Sequence, residues 1–255
     1  VLAACGGLGS PGHGIYRTMD GGTTWEKLEL RPEGPSRFNG KVRLSIAEVP
    51  PYTIYASIGN NGGRLLDETY RTWLLKSEDA GNRWTIASSL DYTRWQGWYS
   101  HYVVVNPFDP SEVYTAGVSQ HKSMDGGNSL SFLPLMQGAR PIHVDHHDAA
   151  FVRSNTSIVY FVNDGGIFRT VNGGQSFEDL NSGYQTTQYY NGFSSSPTDP
   201  HRALGGRQDN GTGLFTGSTD WPWVSGGDGG WTAFNAANHN EFYTSLQWLA
   251  MFRLN

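Results

Sequence analysis

Cysteine is almost absent from this chain. Cys5 stands alone among 255 residues, so no internal disulfide holds the fold. Charge is scarce too: Asp, Glu, Lys and Arg make up 16% of the chain, against about 25% in ordinary soluble domains. The net charge is −5. No basic stripe exists, which argues against nucleic acid as a partner. No apolar run approaches the ~20 residues of a membrane-spanning helix. No long window places apolar residues at i, i+3, i+4 and i+7, so a helical architecture is excluded.

What the chain does have is glycine and rings. Its 33 Gly, 9 Trp, 13 Tyr and 12 Phe suit many short strands joined by tight turns, with aromatics filling the layers between sheets. The first residues, Val1-Leu2-Ala3-Ala4-Cys5-Gly6, have the look of a lipoprotein cleavage box. No charged segment precedes them, and the same stretch fits a blade strand with Cys5 as a small buried residue.

Internal repetition organises the rest. Four segments align: Arg17 to Trp25, Lys76 to Trp84, Lys122 to Leu130 and Arg169 to Phe177. Each reads S/T-x-D/N-x-G-x-x-W/F/L. Asp79 follows Asp20 by 59 residues, Asp125 follows Asp79 by 46, and Asn172 follows Asp125 by 47. Such spacing is that of four-stranded propeller blades, roughly 40–50 residues. A fifth, degenerate copy runs from Thr216 to Trp221. The motif resembles the Asp-box (bacterial neuraminidase) repeat. Turn chemistry accounts for it: the carboxylate accepts from backbone N–H groups of its own turn, and the glycine permits positive φ. Asp20, Asp79, Asp125 and Asn172 are therefore structural.

The expected fold is all-β, a propeller of four-stranded blades labelled A to D from axis to rim. Roughly five to six blades are present, with repeats near 1–40, 41–97, 98–140, 141–186, 187–226 and 227–255. The first blade has strands B, C and D; the last has A, B and C. These do not combine into one blade without duplicating strands, so the expectation is a piece of a larger propeller.

Residues that break the repeat fall before strand A or after strand B, which places them on one face around the central channel. Before strand A come Trp98 and Tyr99, the run His143-Val144-Asp145-His146-His147-Asp148, then Tyr189 and Tyr190, and Asp228. After strand B come Asn60 and Asn61, Asn163 and Asp164, and Gln208-Asp209-Asn210. Three readings stay open. In one, His143, Asp145, His146 and His147 hold a divalent metal, since imidazole and carboxylate suit zinc, manganese or iron; an extended segment would put His143, Asp145 and His147 on one side and His146 and Asp148 on the other. In another, Asp145, Asp148 and Asp228 are catalytic carboxylates of a glycosidase. Ligand would then be held by Trp98, Tyr190, Asp164, Gln208, Asp209 and Asn210, with Trp95, Trp231 and Trp248 as further rings for sugars. In the third, these groups knit the loops together by hydrogen bonds.

From His143 to the end the chain resembles a subgroup of Asp-box propellers described as glycosyl hydrolase-like or sortilin-like. The resembling residues are His143-x-Asp145-His146-His147-Asp148, Asn163-Asp164-Gly165-Gly166, Gln188-Tyr189-Tyr190, Gly206-x-Gln208-Asp209-Asn210-Gly211-Thr212 and Gly226-Gly227-Asp228-Gly229. The resemblance implies a secreted or cell-surface protein acting on polysaccharide. The alternative is a propeller that binds a peptide ligand or protein without catalysis, or a structural subunit of a surface assembly. Xyloglucan-cleaving relatives place two Asp in a cleft between tandem propellers, so the remainder of the propeller or a second one is an expected partner. A sialidase is not expected: Arg94, Arg140 and Arg207 do not form the trio of arginines such enzymes use.

Overall fold

The computed structural model describes residues 1–6, 12–30, 40–59, 71–133, 142–184 and 187–255; the side chains of Trp95 and Asn191 are not described. Asn60, Asn61 and Arg140, named above, lie outside these residues. Among the described residues there is no α-helix, and no helix long and apolar enough to cross a membrane. Six antiparallel sheets follow one another along the chain. The first holds β1 (Leu2–Cys5), β2 (Gly14–Arg17) and β3 (Glu26–Lys27). The second holds β4 (Lys41–Ile46), β5 (Ile54–Gly59), β6 (Thr72–Ser77) and β7 (Thr85–Ser88). The third is β8 (Tyr102–Asn106), β9 (Asp109–Ala116), β10 (Gln120–Ser123) and β11 (Ser131–Phe132). The fourth is β12 (His146–Phe151), β13 (Val159–Asn163), β14 (Gly166–Thr170) and β15 (Glu178–Asp179). The fifth is β16 (Tyr189–Ser195), β17 (Ala203–Arg207), β18 (Thr212–Phe215) and β19 (Trp223–Ser225). The last is β20 (Thr232–Asn235), β21 (Asn238–Ser245) and β22 (Met251–Leu254). In each sheet the strands pair in chain order, so four sheets have four strands and the two at the ends have three. The propeller architecture expected from the repeat is the one observed.

Two compact units divide the chain, Val1–Ser182 and Gly183–Asn255. In unit 1 the sheets pack face to face. Ile15, Val42, Ile58, Trp73 and Trp84 fill one layer; Tyr55, Leu74, Val103 and Val113 the next; Tyr102, Tyr114, Phe161, Phe168 and Phe177 the third. Strand β5 is covered on both faces and buried throughout, so it lacks the apolar–polar alternation of a half-exposed strand. Cys5 is a correction to the sequence reading: it is exposed on β1.

The four repeat turns share one hydrogen-bond knot. The Ser or Thr hydroxyl at the turn's start donates to the Asp or Asn side chain, at 2.7 Å (Thr18–Asp20), 3.0 Å (Ser77–Asp79), 2.8 Å (Ser123–Asp125) and 2.9 Å (Thr170–Asn172). That hydroxyl also accepts from the glycine N–H of Gly22, Gly81, Gly127 and Gly174 at 2.8–2.9 Å. The Asp or Asn oxygen in turn accepts from the N–H four residues on, in Thr24, Arg83, Ser129 and Ser176. The four glycines have φ of 87–96°, where a side chain would be strained. These bonds hold the carboxylates of Asp20, Asp79 and Asp125 below their ordinary pKa, through Thr24, Arg83 and Ser129 first.

A basic residue stands just before each hydroxyl: Arg17, Lys76, Lys122 and Arg169. Two of them reach into the turn of the next sheet. Arg17 donates to the Ala80 carbonyl at 2.8 Å and to Asn82 Oδ1 at 2.9 Å. Lys122 donates to the Gly173 carbonyl at 2.8 Å, at the same place in its turn. Lys76 follows the pattern: a Cβ built on Gly126 would lie 3.6 Å from its Nζ. The knots of the second, third and fourth repeat turns are thus each met by a cation from the preceding sheet. Lys122 also pairs with Glu112 at 2.7 Å, both side chains largely buried, and Asn106 donates to the other Glu112 oxygen at 2.6 Å. Lys122→Met leaves the Glu112 charge without its cation and should cost about 3 kcal/mol in urea unfolding. Arg17→Ala, whose partner Glu26 is solvated, should cost nearer 1 kcal/mol.

Candidate functional site

In unit 1 the site forms where the loop before β8 meets the start of β12 and the end of β13. Asp145 has φ 61°, a left-handed conformation that Asp tolerates better than most residues. Its carbonyl accepts from Asp164 N–H at 3.3 Å, which ties the two loops together. Gln96 Nε2 donates to Asp145 Oδ1 at 3.0 Å. Asp145 and Asp164 present carboxylate oxygens within 4.8 Å of each other. His147 Nε2 donates to Asp164 Oδ1 at 2.6 Å, and the Tyr99 hydroxyl bridges both Asp164 oxygens at 3.3 Å. The Tyr99 and His147 rings meet edge to face, 5.4 Å apart, and half-exposed Trp98 packs on Tyr99.

Burial, and then the Asp164 charge, push the Asp145 carboxyl above the ordinary carboxylate range; His143, the Gln96 hydrogen bond and His147 pull it partly back. An acid that keeps its proton more readily thus sits beside a carboxylate with dedicated hydrogen-bond partners. That is the chemistry of a general acid next to an anion.

The histidine run divides. The sequence reading placed it wholly in a loop before strand A, whereas β12 begins at His146 and takes in His147 and Asp148. A bulge between His146 and Asp148 in the pairing with β13 frees His147 from the alternation. His146 points into the core, 1% exposed, with its ring edge-on to Tyr102 at 6.2 Å. His147 turns instead to Asp164. His143 Nδ1 donates to the Val144 carbonyl at 2.9 Å, and its Cβ fills the space a side chain at Gly165 would need. The histidines named as metal ligands therefore do not converge as one set; Asp145, Asp164 and His147 are those brought together. Asp148 is exposed, its carboxylate accepting from Ala149 N–H at 2.9 Å.

Unit 2 holds the remaining candidates. The turn Gln208-Asp209-Asn210 follows β17. Asp209, at φ 60°, donates its N–H to Asp228 Oδ1 at 2.9 Å. Gly211 N–H to Gly227 O at 2.8 Å and Gly229 N–H to Arg207 O at 2.9 Å fasten this turn to the loop carrying Asp228. Gln208 N–H reaches the Gln188 carbonyl at 3.1 Å. Tyr190, expected before strand A, lies within β16 and is half exposed. Gln96 was not among the residues singled out from sequence. The only signal for it was a long polar and aromatic stretch ahead of β8, outside the repeat pattern.

No protein-family model matches this chain, and no curated protein matches it. Among solved structures it is similar to the GH74 enzyme of Niastella koreensis, at 19% identity over 91% of this chain and 38% of that one, with a TM-score of 0.50. It is also similar to the GH74 xyloglucanase of Xanthomonas campestris, at 14% identity over 94% and 40%, TM-score 0.48. A further likeness is to YCF48 from Cyanidioschyzon merolae, at 14% identity over 94% and 74%, TM-score 0.43. The chain spans about two fifths of the length of the two GH74 structures. The first likeness shows the class of protein, a β-propeller.

Three histidines of unit 1 are buried and neutral. Burial holds His101 and His146 down at a pKa of about 3, and lowers His121 as well. His101 Nδ1 is bonded to Ser57 Oγ at 2.7 Å, which meets Tyr92 OH at 2.6 Å. Unfolded histidines take up protons below about pH 6.5, and the folded ones do not. Stability contributed by these neutral rings is complete above that pH and falls with acidification toward pH 3. Two such groups should cost roughly 2 to 3 kcal/mol per pH unit between about pH 6 and 4. Urea unfolding of His146→Phe should show about half that slope.

Proposed function

We propose that this chain is part of an Asp-box propeller of the glycoside hydrolase-like kind, secreted or held at the cell surface and acting on polysaccharide. Its blades divide near 1–40, 41–97, 98–140, 141–186, 187–226 and 227–255. The observation that carries the reading is the Asp145–Asp164 pair: two carboxylates with oxygens within 4.8 Å, one pushed toward its protonated form, the other bonded to His147 and Tyr99. Glycosidases divide their work in this way. One carboxylic acid protonates the leaving oxygen while a second carboxylate acts as base or nucleophile. Asp145 is assigned the acid role. Asp164 takes the second, oriented by Tyr99 and His147, and Trp98 offers a ring on which a sugar stacks. This moves the catalytic assignment from Asp148, which faces solvent, and from Asp228, which belongs to unit 2, to Asp164. It rests on this chain's own residues, since the likeness to GH74 structures shows fold alone.

Release of reducing ends from a panel of plant and microbial polysaccharides tests the reading. Asp145→Asn and Asp164→Asn should each lower the rate by about 100-fold or more, in the range of lost general acid–base catalysis. Asp148→Asn should leave it near wild type. Asp145→Asn should also hold or raise the melting temperature, because it removes a half-buried charge facing Asp164. Hydrolysis unaffected by either substitution would refute the assignment. No hydrolysis of any polysaccharide by the wild-type chain would favour the non-catalytic binding propeller.

A further inference from the structure

Unit 2 has a groove of about 420 Å³ built by the loop carrying Asp228 and the turn after β21. Its aromatic lining comes from Tyr190, Trp231 and Trp248, with Leu249 beside them. Trp248 is fully exposed and Trp231 largely so. Among the described residues none of the three rings stacks on another aromatic ring, and each is at least half exposed. The turn Gln247–Leu249 is tightly set: Leu246 N–H reaches the Ala250 carbonyl at 2.8 Å, and Ala250 N–H the Gln247 carbonyl at 3.3 Å. Trp248 and Leu249 have φ of 62° and 58°. Bulky residues adopt this left-handed form only where their surroundings impose it, and such outliers gather at ligand sites.

Asp228 supplies the charge. Its Oδ1 accepts from Asp209 N–H at 2.9 Å, and among the described residues no Lys, Arg or His forms an ion pair with it. A carboxylate without a counter-ion, set among ring faces whose electrostatics are negative, is complementary to an organic cation. A sugar would use the same rings but gains nothing from the uncompensated charge. We propose that this groove binds the alkylammonium side chain of a lysine-bearing peptide, with the ammonium at Asp228 and the methylene stem along Trp231 and Trp248. The site lies within unit 2 and does not depend on the polysaccharide reading of unit 1.

The test is titration of the full chain by calorimetry and tryptophan fluorescence with three probes. They are Nα-acetyl-lysine amide, its uncharged isostere Nα-acetyl-norleucine amide, and a neutral cello-oligosaccharide. The lysine probe should bind saturably and lose affinity as salt is raised. Norleucine should bind about tenfold more weakly or worse. Asp228→Asn keeps an oxygen for Asp209 N–H yet removes the charge, and should lose a similar factor for lysine. Trp248→Ala changes a side chain wholly in solvent, so the fold is untouched, and it should weaken the lysine probe too. The proposal is overturned if norleucine binds as well as lysine. It is equally overturned if the oligosaccharide binds and lysine does not, if neither variant changes lysine binding, or if no saturable signal appears at millimolar probe.

Discussion

A hydroxyl, a carboxylate or amide oxygen, and backbone N–H groups close each repeat turn in unit 1, and the sheets depend on that knot. It lets a turn of glycine and polar residues hold its shape without a core of its own. The turn's carbonyls are then rigid enough to receive a cation from the preceding sheet, as Ala80 receives Arg17 and Gly173 receives Lys122. Sheets that share no strand ladder are thereby tied together at these turns, while Tyr, Phe, Trp and aliphatic side chains fill the layers between them. The Asp residues of these turns are committed to backbone N–H groups. The repeat thus separates its structural carboxylates from those available for chemistry.

Where the sequence departs from the repeat, backbone irregularity decides which side chains meet. At the start of β12 a left-handed Asp145 and a bulge at His147 come in quick succession. A regular strand would have alternated the histidines between two faces. The irregular one buries His146 against Tyr102 and brings His147 to Asp164. Burial then raises the pKa of Asp145, and proximity to Asp164 adds to the effect. A packing decision in the core and a chemical one at the surface come from neighbouring residues in one strand.

Unit 2 repeats the device on a smaller scale. Asp209 is also left-handed, and its N–H orients Asp228. Neighbouring glycines let the loops of this unit approach main chain to main chain, so the Asp228 loop lies directly on β17 and the Gln208–Asn210 turn. The rings of Tyr190, Trp231 and Trp248 remain largely in solvent, unlike the buried aromatic layers of unit 1.

Much of this was legible from residue order alone. The spacing of Asp20, Asp79, Asp125 and Asn172, with the hydroxyl before and the glycine after each, defines blades because the turn's bonds are local and need nothing but the nine residues that make them. The strand class follows from composition for the same reason. That unusual polar residues gather at strand starts and ends was equally visible. Which of them act together was not. Asp148 and His146 looked as good as Asp164, and Gln96 was not singled out at all, since a bulge and a left-handed residue carry no periodic signal. Burial of Cys5 was misjudged because exposure depends on what packs over a strand, which the strand's own residues do not show. The partnership of Asp145 with Asp164 spans two strands and a loop, and only packing in three dimensions brings those oxygens together and supplies the burial that separates their roles.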